Sequence, residues 1–134
     1  MTLIDNGLLI LPEEECLDLL RVGTVGRIGV TMGALPAIFP VNYGLLDGDV
    51  VFYTGDGVKL RAALEGAVVA FEVDHIDVAG RAGWSVMIVG LAEDVTDPKE
   101  LAAVVGLGIV PLAGGDRSHA VRIRSHFVSG RRVA

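Results

Sequence analysis

The chain has 134 residues, 51% hydrophobic and 21% charged, with a formal net charge of −6 and a mean hydropathy of +0.56. This length predicts one domain, residues 1–134, with a real core. The acidic balance argues against non-specific nucleic-acid binding, and no apolar run reaches the roughly 18 residues of a membrane span.

The surplus of apolar residues has to be covered, and a subunit interface is the common way to cover it, so a homodimer is expected. The longest apolar run, Leu101 to Ala113, is broken by Gly106, Gly108 and Pro111. No basic residue precedes the short apolar Leu8-Leu9-Ile10-Leu11, so no signal peptide is expected. Cys16 is the single cysteine and reads as a small core residue of a chain in a reducing, cytoplasmic setting.

Taken in order, Pro12-Glu13-Glu14-Glu15 opens a helix, with proline early and acids in the first turn, and Gly23 ends it. Residues 24–32 and 35–46 read as two strands joined at Met32-Gly33-Ala34, and Asp47-Gly48 is a hairpin turn into a strand from Asp49 to Thr54. A short helix spans about Val58 to Glu65. Strands follow at 67–74 and at about Gly83 to Val95. Thr96 or Asp97 caps a helix running to about Val105. One final strand is predicted from about Ala120 to Val128, with Val121, Ile123 and Phe127 alternating against Arg122, Arg124 and His126. Strands outnumber helices and tight turns join them, which predicts an antiparallel barrel and not a doubly wound parallel sheet. Gly23, Gly26 and Gly29 lack the dinucleotide-binding pattern, sit within a strand, and read as close-packing or bend positions in a barrel.

Four places could carry chemistry. In Phe52-Tyr53-Thr54-Gly55-Asp56-Gly57-Val58-Lys59-Leu60 a strand runs through a glycine-flanked turn into a helix. Thr54, Lys59 and Arg61 could face one anion there. The same stretch also reads as an ordinary helix start with Asp56 as N-cap and a solvated lysine. Pro40 removes a ladder donor, so its strand lies at an edge or bulge, where free backbone groups, Asn42 and Tyr43 could meet a ligand. Trp84, the one tryptophan, stands beside Ser85. It is either an interface anchor or a flat wall for a ring system, with Ser85 donating to a phosphate. Arg122 and Arg124 share a strand face and either pair with Glu72 or Asp74 or line an anion pocket. Arg117, Arg131 and Arg132 make the rest of the C-terminal stretch basic, with no acidic residue after Asp116. No metal-ligand spacing joins His75, His119 and His126, and no Gly-x-Ser-x-Gly elbow is present.

The ordered set resembles the FMN-binding split-barrel superfamily, the pyridoxamine phosphate oxidase-like proteins. It consists of an N-terminal helix before Gly26-Arg27-Ile28, then Pro36 and Pro40-Val41-Asn42-Tyr43, Phe52-Tyr53-Thr54 with Gly57-Val58-Lys59-Leu60, and Phe71-Glu72-Val73-Asp74. Gly83-Trp84-Ser85-Val86 with Gly90, and Val121-Arg122-Ile123 with Ser129-Gly130-Arg131-Arg132, complete it.

The resemblance implies a mainly β fold with short helices: a six-stranded antiparallel split β-barrel, homodimeric, with the cofactor at the interface. By similarity, Pro40, Val41, Asn42 and Tyr43 run beside the FMN ring, Thr54, Lys59 and Leu60 hold its phosphate end, and Trp84 and Ser85 approach from the other subunit. It implies an FMN-dependent oxidoreductase or flavin reductase-like enzyme acting on a small-molecule redox substrate. The alternatives are a deazaflavin-dependent reductase using the C-terminal arginines as a basic groove, and a non-catalytic flavin or heme carrier or sensor. Pyridoxamine phosphate oxidases carry a late Trp and an Arg-x-His pair that grip the substrate. Here Trp84 stands alone, and Arg124-Ser125-His126 matches only in letters, inside the expected final strand, so vitamin B6 oxidation is not expected.

Overall fold

A computed structural model describes residues 4–112 and 118–133; Arg117, Asp116 and Ala113 lie outside the described residues. Two hairpins share one turn chemistry. Strands β1 (Ile4–Asp5) and β2 (Leu8–Ile10) are joined by Asn6-Gly7 at φ 52° and 81°, and β5 (Gly44–Leu46) and β6 (Asp49–Thr54) by Asp47-Gly48 at φ 51° and 82°. Both central residues lie in the left-handed region, as a two-residue turn matched to strand twist requires. Helix α1 (Glu13–Val22) places Glu13, Glu14 and Glu15 in its first turn and buries Cys16 and Leu20.

Strands β3 (Val25–Met32) and β4 (Leu35–Asn42) form the hairpin expected at Gly33. After β6 come helix α2 (Val58–Leu64), strands β7 (Val68–Asp77) and β8 (Ala82–Asp94), and helix α3 (Pro98–Gly106), whose cap is Asp97, accepting from the Glu100 amide at 3.1 Å. Strands β9 (His119–Ile123) and β10 (Phe127–Val133) end the described chain. Every pairing is antiparallel. One path runs β1-β2-β10-β8-β7-β3-β4, and β8 also pairs with β9, which pairs with β6 and through it with β5.

The split in the barrel is made by β8. Its first part, from Trp84 to Val89, pairs with β10, and its last residues, Ala92 to Asp94, pair with β9. Between them lies Gly90, where a β-carbon would stand 1.6 Å from the carbonyl oxygen of Arg124. Arg124, Ser125 and His126 cross there from one sheet to the other, and the Arg124 amide donates to the Leu91 carbonyl at 2.9 Å. This corrects the single final strand expected at 120–128: it is two strands, and Arg124-Ser125-His126 is the connection between them. The expected strand at 35–46 is likewise divided at Tyr43. The six strands counted from sequence become ten through these two divisions and the unforeseen β1–β2 hairpin.

Tyr43 explains its own break. Its amide donates to the Thr24 carbonyl at 3.1 Å, its hydroxyl donates to the Leu20 carbonyl at the end of α1, and its ring meets Phe71 edge-on at 5.0 Å. The core is built from Ile28, Val50, Phe52, Phe71, Ile88, Val121 and Ile123, all 0% exposed. Gly26 lets the Phe71 ring close on the sheet, since a β-carbon there would lie 2.2 Å from it. Gly23 is as crowded, against the Tyr43 hydroxyl, but Gly29 has only ordinary contacts, so two of the three glycines are packing positions. Cys16 is wholly buried, and its burial pushes the thiol above its usual range. Among the described residues no helix is long and apolar enough to cross a membrane.

Candidate functional site

A cavity of about 100 Å³ opens where the end of β4 meets the end of β6. Pro40, Val41 and Asn42 form one wall and Tyr53, Thr54 and Gly55 another. Lys59 enters from the first turn of α2, and Pro111 and Leu112, beyond α3, close the fourth side. Five residues singled out from the sequence, Pro40, Val41, Asn42, Thr54 and Lys59, therefore share one cavity.

Lys59 is its charge. The ammonium lies 5.5 Å from the centroid of the Phe39 ring, within cation–π range. No carboxylate among the described residues pairs with it, and partial burial holds its pKa below the usual lysine value. Thr54 is buried, with its hydroxyl donating to the Gly55 carbonyl at 3.2 Å. The Asn42 side-chain amide donates to the Val110 carbonyl, which fixes the segment carrying Pro111 and Leu112. Asp56 is not the N-cap of α2: Gly57 holds that position, at φ 144°, with no side-chain cap. The Asp56 carboxylate instead stands in solvent, 3.5 Å from His119 Nε2.

The other expected residues sit elsewhere. Tyr43 and Leu60 are core residues with 6% exposure and do not line the cavity, and burial pushes the Tyr43 hydroxyl up to about 12. Arg61, two residues after Lys59, faces a different cavity, with Thr31, Met32 and Glu65. Trp84 packs partly against the core and lines a third cavity of about 430 Å³ between the end of α1 and β7, with Val22, Thr24, Asp74 and His75. Ser85 lies beside it, paired in register with Asp74 on one side and Arg131 on the other.

Sheet register explains the separation. Pro40, Arg27, Glu72, Met87 and Ser129 form one row across β4, β3, β7, β8 and β10 on the outer face. Ser85 occupies the same face of β8, three strand spacings from β4, which is roughly 14 Å. Exposed apolar side chains stud that face: Ile38 at 71%, Val68 at 62%, Met87 at 39% and Phe127 at 59%.

The arginines that sequence left open are committed to structure. Arg122 is 7% exposed and donates from Nε to Asp49 at 2.8 Å. Arg124 reaches Asp49 at 3.2 Å and Glu93 at 3.0 Å, and the Ser125 amide also donates to Asp49 at 2.9 Å. Their partners are therefore not Glu72 or Asp74. Arg132 pairs with Glu15 at 2.8 Å. Sequence reasoning missed Tyr53, Pro111 and Leu112 as cavity residues. The two last are brought in by the Asn42 bond, which no local pattern announces.

Among known proteins, the chain is 37% identical over 128 residues to the uncharacterized protein Rv0080 of Mycobacterium tuberculosis, a match spanning 92% of this chain and 84% of that one. It superposes with a TM-score of 0.77 on an FAD binding protein from Mycobacterium smegmatis, at 36% identity, covering 92% and 96% of the two chains. A protein of unknown function from Corynebacterium diphtheriae matches at 32% identity and a TM-score of 0.77, covering 94% and 98%. The chain thus shares its fold with both solved structures. The family described as pyridoxamine 5'-phosphate oxidase matches residues 12–132, nearly the whole chain, and the chain belongs to that family.

Proposed function

We propose that this chain binds a flavin nucleotide through its FMN moiety, with the phosphate against Lys59 and Thr54 and the ring along Pro40, Val41 and Asn42, and that it works as a homodimeric oxidoreductase. The observation that carries the reading is Lys59: a half-buried cation without a carboxylate partner among the described residues, set beside a hydroxyl at the end of an apolar trough. A partly desolvated ammonium is costly unless an anion joins it, and a phosphate ester supplies one. The donor set therefore fits a flavin phosphate. The M. smegmatis relative, described as FAD binding, supports the same ligand class.

A bound flavin supplies hydride and single-electron chemistry. The chain's own part is to hold, orient and shield it. Lys59 and Thr54 anchor one end. Pro40, which has no N–H, leaves that stretch of β4 unable to complete a ladder on its outer edge, and Pro111 and Leu112 keep water from the opposite side.

The cavity's size supports the homodimer reading. At about 100 Å³ the cavity is smaller than the roughly 300 Å³ at which ligand pockets usually begin, so one chain does not enclose a flavin ring. The apolar outer face that carries Pro40 also carries Ser85, and a second copy packed on it would bring Ser85 toward the first copy's cavity, whereas Trp84 lies on the opposite face of β8, packed against the core. The FMN reading is favoured over deazaflavin because three of the five C-terminal arginines, Arg122, Arg124 and Arg132, pair with Asp49, Glu93 and Glu15 and so offer less to a long anionic tail. Vitamin B6 oxidation gains no support, since the Arg124-Ser125-His126 connection is held on Asp49.

Purified protein mixed with FMN should show a shifted flavin absorbance band and a raised melting temperature, at a mass of two chains by light scattering. No spectral shift and no stabilisation would reject flavin binding, and a clean monomer mass would reject the shared site.

A further inference from the structure

We infer that the cavity beside Trp84 is a second binding site, for a small uncharged aromatic compound that carries a polar group. It shares no lining residue with the cavity at Lys59, and it does not depend on the flavin reading.

The cavity exists because two neighbouring strands part. β3 and β7 are paired only from Gly29–Ala70 to Arg27–Glu72. Beyond that point β3 stays with β4 as far as Val25–Asn42, and the Tyr43 amide holds the Thr24 carbonyl on that side. β7 instead stays with β8 as far as Asp77–Ala82. The wedge between them has a volume of about 430 Å³, inside the range of small-molecule sites. Val22, Thr24 and Val25 line one side, and Val73, Asp74, His75 and Trp84 the other. The two sides come close at Gly23, where a β-carbon would stand 3.1 Å from the Val73 side chain.

The lining sets the ligand's chemistry. His75 and Trp84 are directly opposed across the β7–β8 ladder, so their β-carbons lie roughly 5 Å apart on one face. An indole beside valines offers a planar apolar surface for an aromatic ring. Among the described residues no hydrogen bond or ion pair engages the His75 imidazole, the Thr24 hydroxyl or the Trp84 indole N–H, so all three are open to a polar substituent on that ring. Charge decides the rest. Neither lysine nor arginine lines the wedge, and Asp74 does. Glu72 lies two residues before Asp74, on the same face of β7, and hydrogen-bonds to it. A carboxylate or phosphate ester would meet these acids with no cation to offset them, so the site favours a ligand without negative charge.

Trp84 is the one tryptophan of the chain, so its fluorescence reports occupancy of this cavity. Titrating the full chain with benzamide, benzoate and cyclohexanecarboxamide, by fluorescence and by calorimetry, tests the site. Benzamide should give a saturable change in Trp84 emission. Benzoate, the same ring with a negative charge, should bind about tenfold or more weakly. Cyclohexanecarboxamide, the same amide without the aromatic ring, should bind about fivefold more weakly. His75→Ala should weaken benzamide about fivefold, and because His75 is exposed its melting temperature should match that of wild type. An emission that benzamide leaves unchanged overturns the site, whether or not calorimetry detects binding elsewhere. Benzoate binding as tightly as benzamide, or benzamide affinity unaltered by His75→Ala, overturns the assigned chemistry.

Discussion

The Asn42 side-chain amide is bonded to the Val110 carbonyl, 68 residues further along the chain. The bond joins the end of β4 to the segment that carries Pro111 and Leu112, so one wall of the cavity is held to the other by a single side chain. Asn42→Ala should therefore loosen the site while leaving the fold intact. A hydrogen bond of about 1 kcal/mol corresponds to about fivefold weaker flavin binding. Stopped-flow should show the loss as faster dissociation, with the melting temperature nearly unchanged. Unaltered dissociation would mean that the segment does not close on the ligand.

The Gly90–Arg124 approach predicts the largest effect on stability. A methyl group at position 90 would collide with a backbone carbonyl, which cannot rotate away as a side chain can. Gly90→Ala should cost about 3 kcal/mol or more, or prevent folding, because relief requires prising β9 and β10 from β8. Urea unfolding measures it; a cost under about 1 kcal/mol would show that the crossing can shift. Gly29→Ala, where contacts begin at 3.8 Å, is the matched control and should be mild.

Glu72 predicts how stability depends on pH. It sits mid-row on the outer face between Arg27 and Met87, and burial raises its carboxyl, helped by a hydrogen bond and charge from Asp74 and opposed by Arg27, to about 7. The folded chain thus keeps a proton that the unfolded chain releases near 4.5. This contribution to stability is fully present below that value and is lost as pH rises through about 7. Thermal melts from about pH 5 to about pH 8 should show wild type losing stability relative to Glu72→Gln, whose neutral amide does not titrate. Parallel pH profiles for the two proteins would contradict the assignment.

Local chemistry made much of this architecture legible. The acids of α1, the Asp47-Gly48 turn, the Gly33 hairpin and the Asp97 cap each leave a signature within a few residues. The errors came from contacts distant in sequence. The final strand reads as continuous until Gly90 admits Arg124 across it, and the strand after Leu35 reads as continuous until Tyr43 is drawn to Leu20. The β1–β2 hairpin has only three apolar residues in its second strand, too short a run for alternation to register. At the site, Lys59, Thr54 and the Pro40–Asn42 strand could be grouped from sequence. Arg61 could not be separated from Lys59, because a difference of two residues reverses direction only once the helix is formed. Trp84 and Ser85 remain apart from the cavity within one chain for a geometric reason, since two strands lie between β8 and β4.

The central claim is that Lys59 receives a flavin phosphate. The direct measurement is a paired titration of wild type and Lys59→Ala with FMN and with riboflavin, which carries the same ring without the phosphate. Wild type should bind FMN the more tightly. The substitution should weaken FMN by about tenfold or more, the worth of a charge-assisted contact, and leave riboflavin nearly unchanged. Equal losses for both ligands, or no loss for FMN, would contradict the role given to Lys59.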